Sequence, residues 1–289
     1  MAANKIISIN DQLKEKLIDV FSGKMDKVQK DVLDKLFQII ERYDTTNGNF
    51  STGILGAEDL LKIEDAINTT LQQSGYTKEA KAFIQDFGKV TINTASILDT
   101  GGYAFNKLPL SDIEMKWKNA TAETLLNSGI RQDFSTPIMK IVDDAISYGD
   151  SIESAKTKLQ DFILGGNDTS GKLKSYVTQT ARDSISQMQG QQFQSVANEI
   201  GVAGVLYTGG LLNDSRGQCT HWIKDLNGFI PIDKLKEEIK MAYAKQAAKI
   251  VTDGKHKWGG MMPNTDETNF YVKRGGYNCT HTAIPKRKK

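Results

Sequence analysis

The sequence predicts an α+β protein, a mostly helical N-terminal region followed by a small α+β C-terminal domain. Apolar residues in the first 165 positions recur at the three- and four-residue intervals of a buried helix face. After Gly201 that period gives way to short, β-rich runs bounded by glycines. Both cysteines and all three histidines lie after residue 218, so concentrated side-chain chemistry belongs to the second part. The expected division is 1–168 and 169–289.

The elements follow in order. Leu13, Leu17, Val20 and Phe21 mark a first helix face, and Val28, Val32, Leu36, Ile39, Ile40 and Tyr43 a second. Asp44 to Ser51 interrupts the pattern with Thr, Asn and Gly. Leu60, Leu61, Ile63, Ile67 and Leu71 form a third stripe, ended by Gly75. One helix is expected over 78–98, closed by Thr100-Gly101-Gly102. Ser111 and Glu114 have the spacing of a capping box. Thr136 before Pro137 reads as a cap followed by proline in the first turn. Ser151 caps a helix that ends at Gly165-Gly166, and the small, polar stretch 165–171 marks the domain boundary.

A long helix over 172–199 presents Val177, Ala181, Ile185 and Met188 on one face, with Gly190 as a potential bend. Val202 to Tyr207 is a strand that stops at Gly209-Gly210. A helix rich in Lys, Glu and Ala spans 233–251. Phe270 to Val272 and Thr282 to Ile284 complete the expected strands.

Composition sets bounds on function. A hydrophobic share of 39% is enough to build a core, which excludes wholesale disorder. No apolar run approaches the roughly 18 residues of a membrane span, and no membrane partner is expected. Residues 1–10 lack the basic-then-apolar pattern of a signal peptide, so the chain is expected to be made in the cytoplasm. The net charge of +2 does not argue for nucleic acid overall. Lys286, Arg287, Lys288 and Lys289 are a local exception, a solvated tail whose cations attract phosphate.

Two motifs stand out, Cys219-Thr220-His221 and Cys279-Thr280-His281, separated by 60 positions. Cys219, His221, Cys279 and His281 together make a Cys2His2 set, the usual complement of tetrahedral zinc. Two other readings stand beside zinc. A Cys219–Cys279 disulfide would stabilise by about 4 kcal/mol in the chain-entropy model, although a reducing cytoplasm disfavours it. Alternatively, both cysteines are simply buried thiols. His256 sits among lysines and reads as a solvated loop residue. Asp214 and Arg216, in Asp214-Ser-Arg216-Gly-Gln-Cys219, are expected to fix a loop rather than perform chemistry.

Over residues 170–285 the chain resembles the Mu F-like phage minor head (head morphogenesis) family. The resemblance rests on Thr180-Ala-Arg182-Asp183 in the long helix and on Asp-x-Arg-x-x-Cys at 214–219. It continues with Leu226-Asn227-Gly228 before the apolar Phe229-Ile230, and closes on Asn278-Cys279-Thr280-His281 with Pro285 behind. Each motif is weak alone, and their shared order is what is specific. Thr280 departs from the arginine common there, and the 233–251 helix enlarges the stretch between the two cysteines.

The resemblance implies a virion protein at the portal vertex or capsid interior, assembled in the host cytoplasm. It would contact the portal and other head proteins and aid head assembly, DNA packaging or delivery, with Asn278 in a structural loop and the basic tail near packaged DNA. Some relatives carry fused toxin or nuclease domains. This length is expected to hold none, and no enzymatic activity is carried over. A zinc nuclease or peptidase is the first alternative, but H-E-x-x-H is missing. A DNA-binding regulator is the second, opposed by the near-neutral charge and the lack of a helix-turn-helix pattern.

Overall fold

A computed structural model describes residues 2–43, 45–51, 55–103, 108–166 and 169–288, with side chains from residue 9 onward. The expected α+β class is found: the chain is mostly helical with small antiparallel sheets, and the three-stranded sheet lies in the C-terminal region. Two compact units emerge, each assembled from separated segments rather than divided at residue 168.

One unit comprises Leu17–Gln85 and Asn119–Thr180. Its elements draw on α1 (Ala2–Ser22), α2 (Met25–Ile40), β1 (Thr45–Thr46), β2 (Asn49–Phe50), α3 (Ala57–Gln73) and α4 (Tyr76–Gln85). The other unit comprises Met1–Lys16, Asp86–Lys118 and Ala181–Lys289. It draws on α5 (Phe87–Thr100) and α6 (Leu110–Leu126), whose last residues fall in the first unit.

In the first unit, Val28, Val32, Leu36 and Ile40 line the buried face of α2, and Ile63, Ile67 and Leu71 that of α3. Val20 and Leu61 stand exposed, although the spacing placed both on apolar stripes; Phe21 and Ile63 of those stripes are buried, and so is Ile18, which the spacing passed over. The expected break after Tyr43 is a β-hairpin: Thr45 pairs with Phe50 around Asn47-Gly48, both in the left-handed region. That dipeptide is the signal of a tight primed turn, which the composition-based reading passed over. Asp44, at the start of the expected break, lies outside the described residues.

After α7 (Ser128–Ile130), residues Arg131–Ser135 form a π-turn that runs directly into α8 (Thr136–Ser147). Thr136 is therefore helical and not a cap, and the widened turn precedes Pro137, which has no N–H to give. Ser151 does cap α9 (Ile152–Leu164): its hydroxyl accepts from the Ser154 N–H at 3.1 Å. Gly165 follows with φ +81°, as a helix stop requires.

Further departures concern local signals. The single helix expected over 78–98 is broken at Asp86, where the two units divide. The expected capping box is not formed. Pro109 starts α6 early, its carbonyl accepting from Ile113, and Glu114 instead pairs with Lys118 at 2.7 Å. α10 (Lys172–Glu199) has the expected bounds, with Val177, Ala181, Ile185 and Met188 fully buried. Gly190 does not interrupt it. A Cβ there would lie 2.1 Å from the Tyr271 carbonyl oxygen, so this glycine serves close approach.

The sheet is built from β3 (Val202–Thr208), β4 (Phe229–Pro231) and β7 (Thr282–Arg287), in the order β4-β3-β7 and antiparallel throughout. Asn227 and Gly228, both at positive φ, turn the chain into β4. α11 (Gly217–Thr220) continues through a π-turn, His221–Asp225, ahead of β4. α12 (Leu235–Ala247), β5 (Val251–Thr252) and β6 (His256–Lys257) occupy the enlarged stretch. Phe270–Val272, expected as a strand, lies in the short helix α13 (Phe270–Lys273). Asn269 accounts for the difference, since its carbonyl collects the N–H groups of Val272 and Lys273 and its side chain accepts from Asp266 N. Val205, Tyr207, Trp222, Ile230, Phe270 and Ile284 form the core of this region with Phe193 of α10.

The basic end is not a free tail. Lys286 pairs with Gly204 and Arg287 with Val202, while the Lys288 N–H reaches Gly201 O. Strand pairing continues past Ile284 because Pro285 lies on β7, whose one partner is β3. Lys289 lies outside the described residues.

Candidate functional site

A helical turn and a loop 60 residues later come together. Cys219 lies in α11, and Cys279 and His281 just ahead of β7. All three are buried, and their ligand atoms lie within 4.8 Å of one another. The cysteines are free thiols, so the alternative of a Cys219–Cys279 disulfide is not realised. Tyr207 of β3 places its hydroxyl 3.2 Å from Cys219 Sγ and 3.4 Å from Cys279 Sγ. The His281 ring stacks on Tyr207 and holds Nδ1 3.5 Å from Cys279 Sγ.

His221 does not join this group, a correction to the four-ligand expectation. Its Nδ1 lies 2.7 Å from Asp225 and its Nε2 3.1 Å from Glu238, whose carboxylate also accepts from Trp222 Nε1 at 3.1 Å. The two Cys-Thr-His motifs are alike in letters but not in backbone. Cys219 to His221 follows a helical turn, where positions i and i+2 point apart, whereas Cys279 to His281 is non-helical. His256 is also corrected, being buried and donating from Nδ1 to the Ser215 carbonyl at 2.8 Å.

Arginines and amides hold the loops together. Arg216 Nη1 donates to Gly275 O at 3.0 Å and Nη2 to Tyr277 O. Gln218 Nε2 donates to Gly259 O at 2.7 Å and Gly275 O at 3.1 Å. From α10, Arg182 donates to Asn278 Oδ1 at 2.9 Å and also pairs with Glu15. Asp183 accepts the Asn278 N–H at 2.6 Å. Asn278 sits at φ +54°, a conformation asparagine tolerates better than most residues. Arg216 and Asn278 are thus both engaged in bonds that join separate segments. Asp214 lies exposed on the turn ahead of Arg216 and makes no hydrogen bond.

Tyr207, Arg274 and Gly275 escaped sequence reasoning. A Cβ on Gly275 would lie 2.5 Å from Tyr207 Oη, 2.6 Å from Cys219 Sγ and 2.9 Å from Cys279 Sγ. Only glycine lets the backbone pass so near the thiols. Arg274 is almost wholly buried, with Nε and Nη2 lacking hydrogen-bond partners, and it acts electrostatically on Cys279 and Asp183. The proton shared by the thiols is therefore unevenly held. The hydrogen bond from Cys219, with help from His281 and Arg274, pushes Cys279 toward the thiolate; the same bond and burial keep Cys219 protonated. Burial and the neighbouring thiols push the Tyr207 phenol up. Burial likewise raises Asp183, partly offset by the Asn278 N–H.

No family model, curated protein or solved structure matches this chain.

The cluster can hold a metal ion. Two sulfurs and an imidazole are the soft and borderline donors that zinc takes. With zinc–sulfur bonds of about 2.3 Å and zinc–nitrogen bonds of about 2.0–2.1 Å, a tetrahedral edge between them is about 3.6 Å. The 3.5 Å separation of Cys279 Sγ and His281 Nδ1 fits that edge. No helix among the described residues is long and apolar enough to cross a membrane.

Proposed function

We propose that this protein is a phage minor head protein of the Mu F-like type, a non-enzymatic component of the virion at the portal vertex or capsid interior. Its partners are the portal and other head proteins, and its role is in head assembly, DNA packaging or delivery. One observation carries the reading. Three of the segments on which the resemblance rests meet at a single hydrogen-bonded junction, where Arg182 and Asp183 grip Asn278 while Arg216 grips Gly275 and Tyr277 just ahead of it. Such a junction is a clip that holds a lobe in one shape, which an assembly protein needs. The lobe binds zinc through Cys219, Cys279 and His281, so metal binding adds to its folding energy. The basic residues Lys286, Arg287 and Lys288 offer exposed cations to DNA phosphates.

Mass spectrometry of purified, DNA-filled particles of the phage that encodes the chain tests this. The protein is expected in those particles at low copy number. Its absence from every head-related particle overturns the proposal.

A second reading draws on one observation, that three protein ligands beside a cavity is the pattern of a catalytic zinc. Nuclease or peptidase activity that depends on zinc and vanishes in Cys279→Ser would establish it.

A further inference from the structure

The thiol–imidazole cluster forms one wall of a cavity of about 140 Å³. The same cavity is lined by Arg182, Arg216, Asn278 and Asp214. Arg182 and Arg216 bond Glu15, Asn278 and the loop carbonyls, with Arg182 Nε left over, and Asn278 bonds Arg182 and Asp183. Asp214 is the one charged lining group with no hydrogen bond. His281, buried to within 3%, lines the same cavity and holds Nδ1 beside Cys279 Sγ. One cavity is thus lined both by a carboxylate without a hydrogen bond and by a buried donor set one ligand short of a tetrahedron.

We infer that Asp214 supplies the fourth ligand of a metal held by Cys219, Cys279 and His281, closing the coordination sphere. This rests on the zinc reading above and deepens it. A carboxylate oxygen is an ordinary zinc ligand, and two thiolates, one imidazole and one carboxylate complete four-coordination. Closing the sphere requires the exposed turn that carries Asp214 to lean over the cavity. That turn, Leu212–Ser215, is held by bonds within itself and by His256 at Ser215 O, and Gly209 ahead of it packs against His281. The consequence is functional: a closed sphere makes the metal structural, whereas an open fourth position is the catalytic arrangement.

Cobalt(II) titration of the full chain under reducing conditions, read by visible absorption, tests this. Sulfur-to-cobalt charge transfer and strong tetrahedral d–d bands are expected in the wild type, insensitive to added azide. Asp214→Ala should weaken cobalt binding by at least about tenfold, the lower end of losses seen for outer-shell partners. Its d–d bands should also shift when azide enters the vacated position. Wild-type bands that shift with azide, or an Asp214→Ala spectrum identical to wild type, overturn the Asp214 assignment while leaving the metal site standing. Absence of any sulfur–cobalt band sinks the metal reading itself, and Asp214 with it. Circular dichroism of both proteins without metal shows whether the variant is folded, and Asp214→Glu, which keeps a carboxylate, should restore azide resistance.

Discussion

Asn278 gives its backbone N–H to the Asp183 carboxylate at 2.6 Å, hanging the Cys279 loop on a helix 95 residues earlier in the chain. Asp183→Ala leaves that N–H without an acceptor and should cost about 1–3 kcal/mol. Asp183→Asn retains an acceptor and sheds a carboxylate whose charge burial opposes, so it should cost less. Urea denaturation of both variants measures the difference. An Asp183→Ala variant as stable as wild type would mean the bond does not hold the loop.

Arg216 reaches two carbonyls of the neighbouring loop with one rigid fork. Arg216→Ala should destabilise by about 1.5–3 kcal/mol, the range for hydrogen bonds from a charged donor. Arg216→Lys keeps the charge but not the fork, and should recover only part of the loss. Thermal unfolding of the three proteins checks the ranking; equal midpoints for Lys and Arg would show that charge alone matters.

Gly275 is where the backbone passes the thiols most closely. Gly275→Ala pushes a methyl into Tyr207 and both sulfurs and should cost about 1–3 kcal/mol. It should also disturb metal binding, because the two sulfurs must part to admit it. Gly259→Ala is the matched control, since a Cβ there meets nothing within 4 Å. Comparable stabilities for the two variants would contradict the packing described.

These residues show what the sequence disclosed and what it hid. The bounds of α10 and the first residues of β3 and β7 were legible, because period and flanking glycines agree there. The Cys and His types advertised a ligand cluster, but the letters of Cys-Thr-His could not reveal that one copy is wound as helix and turns His221 toward Glu238. Tyr207 read as the end of an apolar strand, and nothing local told that its hydroxyl would meet both thiols. The capping box at Ser111 failed because Pro109 sets the helix start, a competition between two local signals. The hairpin at Asn47-Gly48 was present in the letters and needed only turn chemistry to find.

Lys14 offers a prediction in pH. It is buried on α1, donating to Gln189 Oε1 at 3.1 Å and Thr282 Oγ1 at 2.8 Å and pairing with Asp11 at 2.9 Å. Burial lowers its pKa below the usual 10.5, only partly offset by Asp11. In the window between the lowered folded value and 10.5, the unfolded chain holds more protons than the folded one. Stability attributable to this site therefore rises as pH climbs through the window, and the cost of the buried charge is present in full below it. Lys14→Met removes the window. Its partners keep other donors, since Asn10 reaches Gln189 and Thr282 reaches Asp11, so the variant should fold. The unfolding free energy of wild type minus that of Lys14→Met should become more favourable between pH 7 and about pH 10. Chemical denaturation at stepped pH measures it, and a flat difference would show that the ammonium is not desolvated in the folded protein.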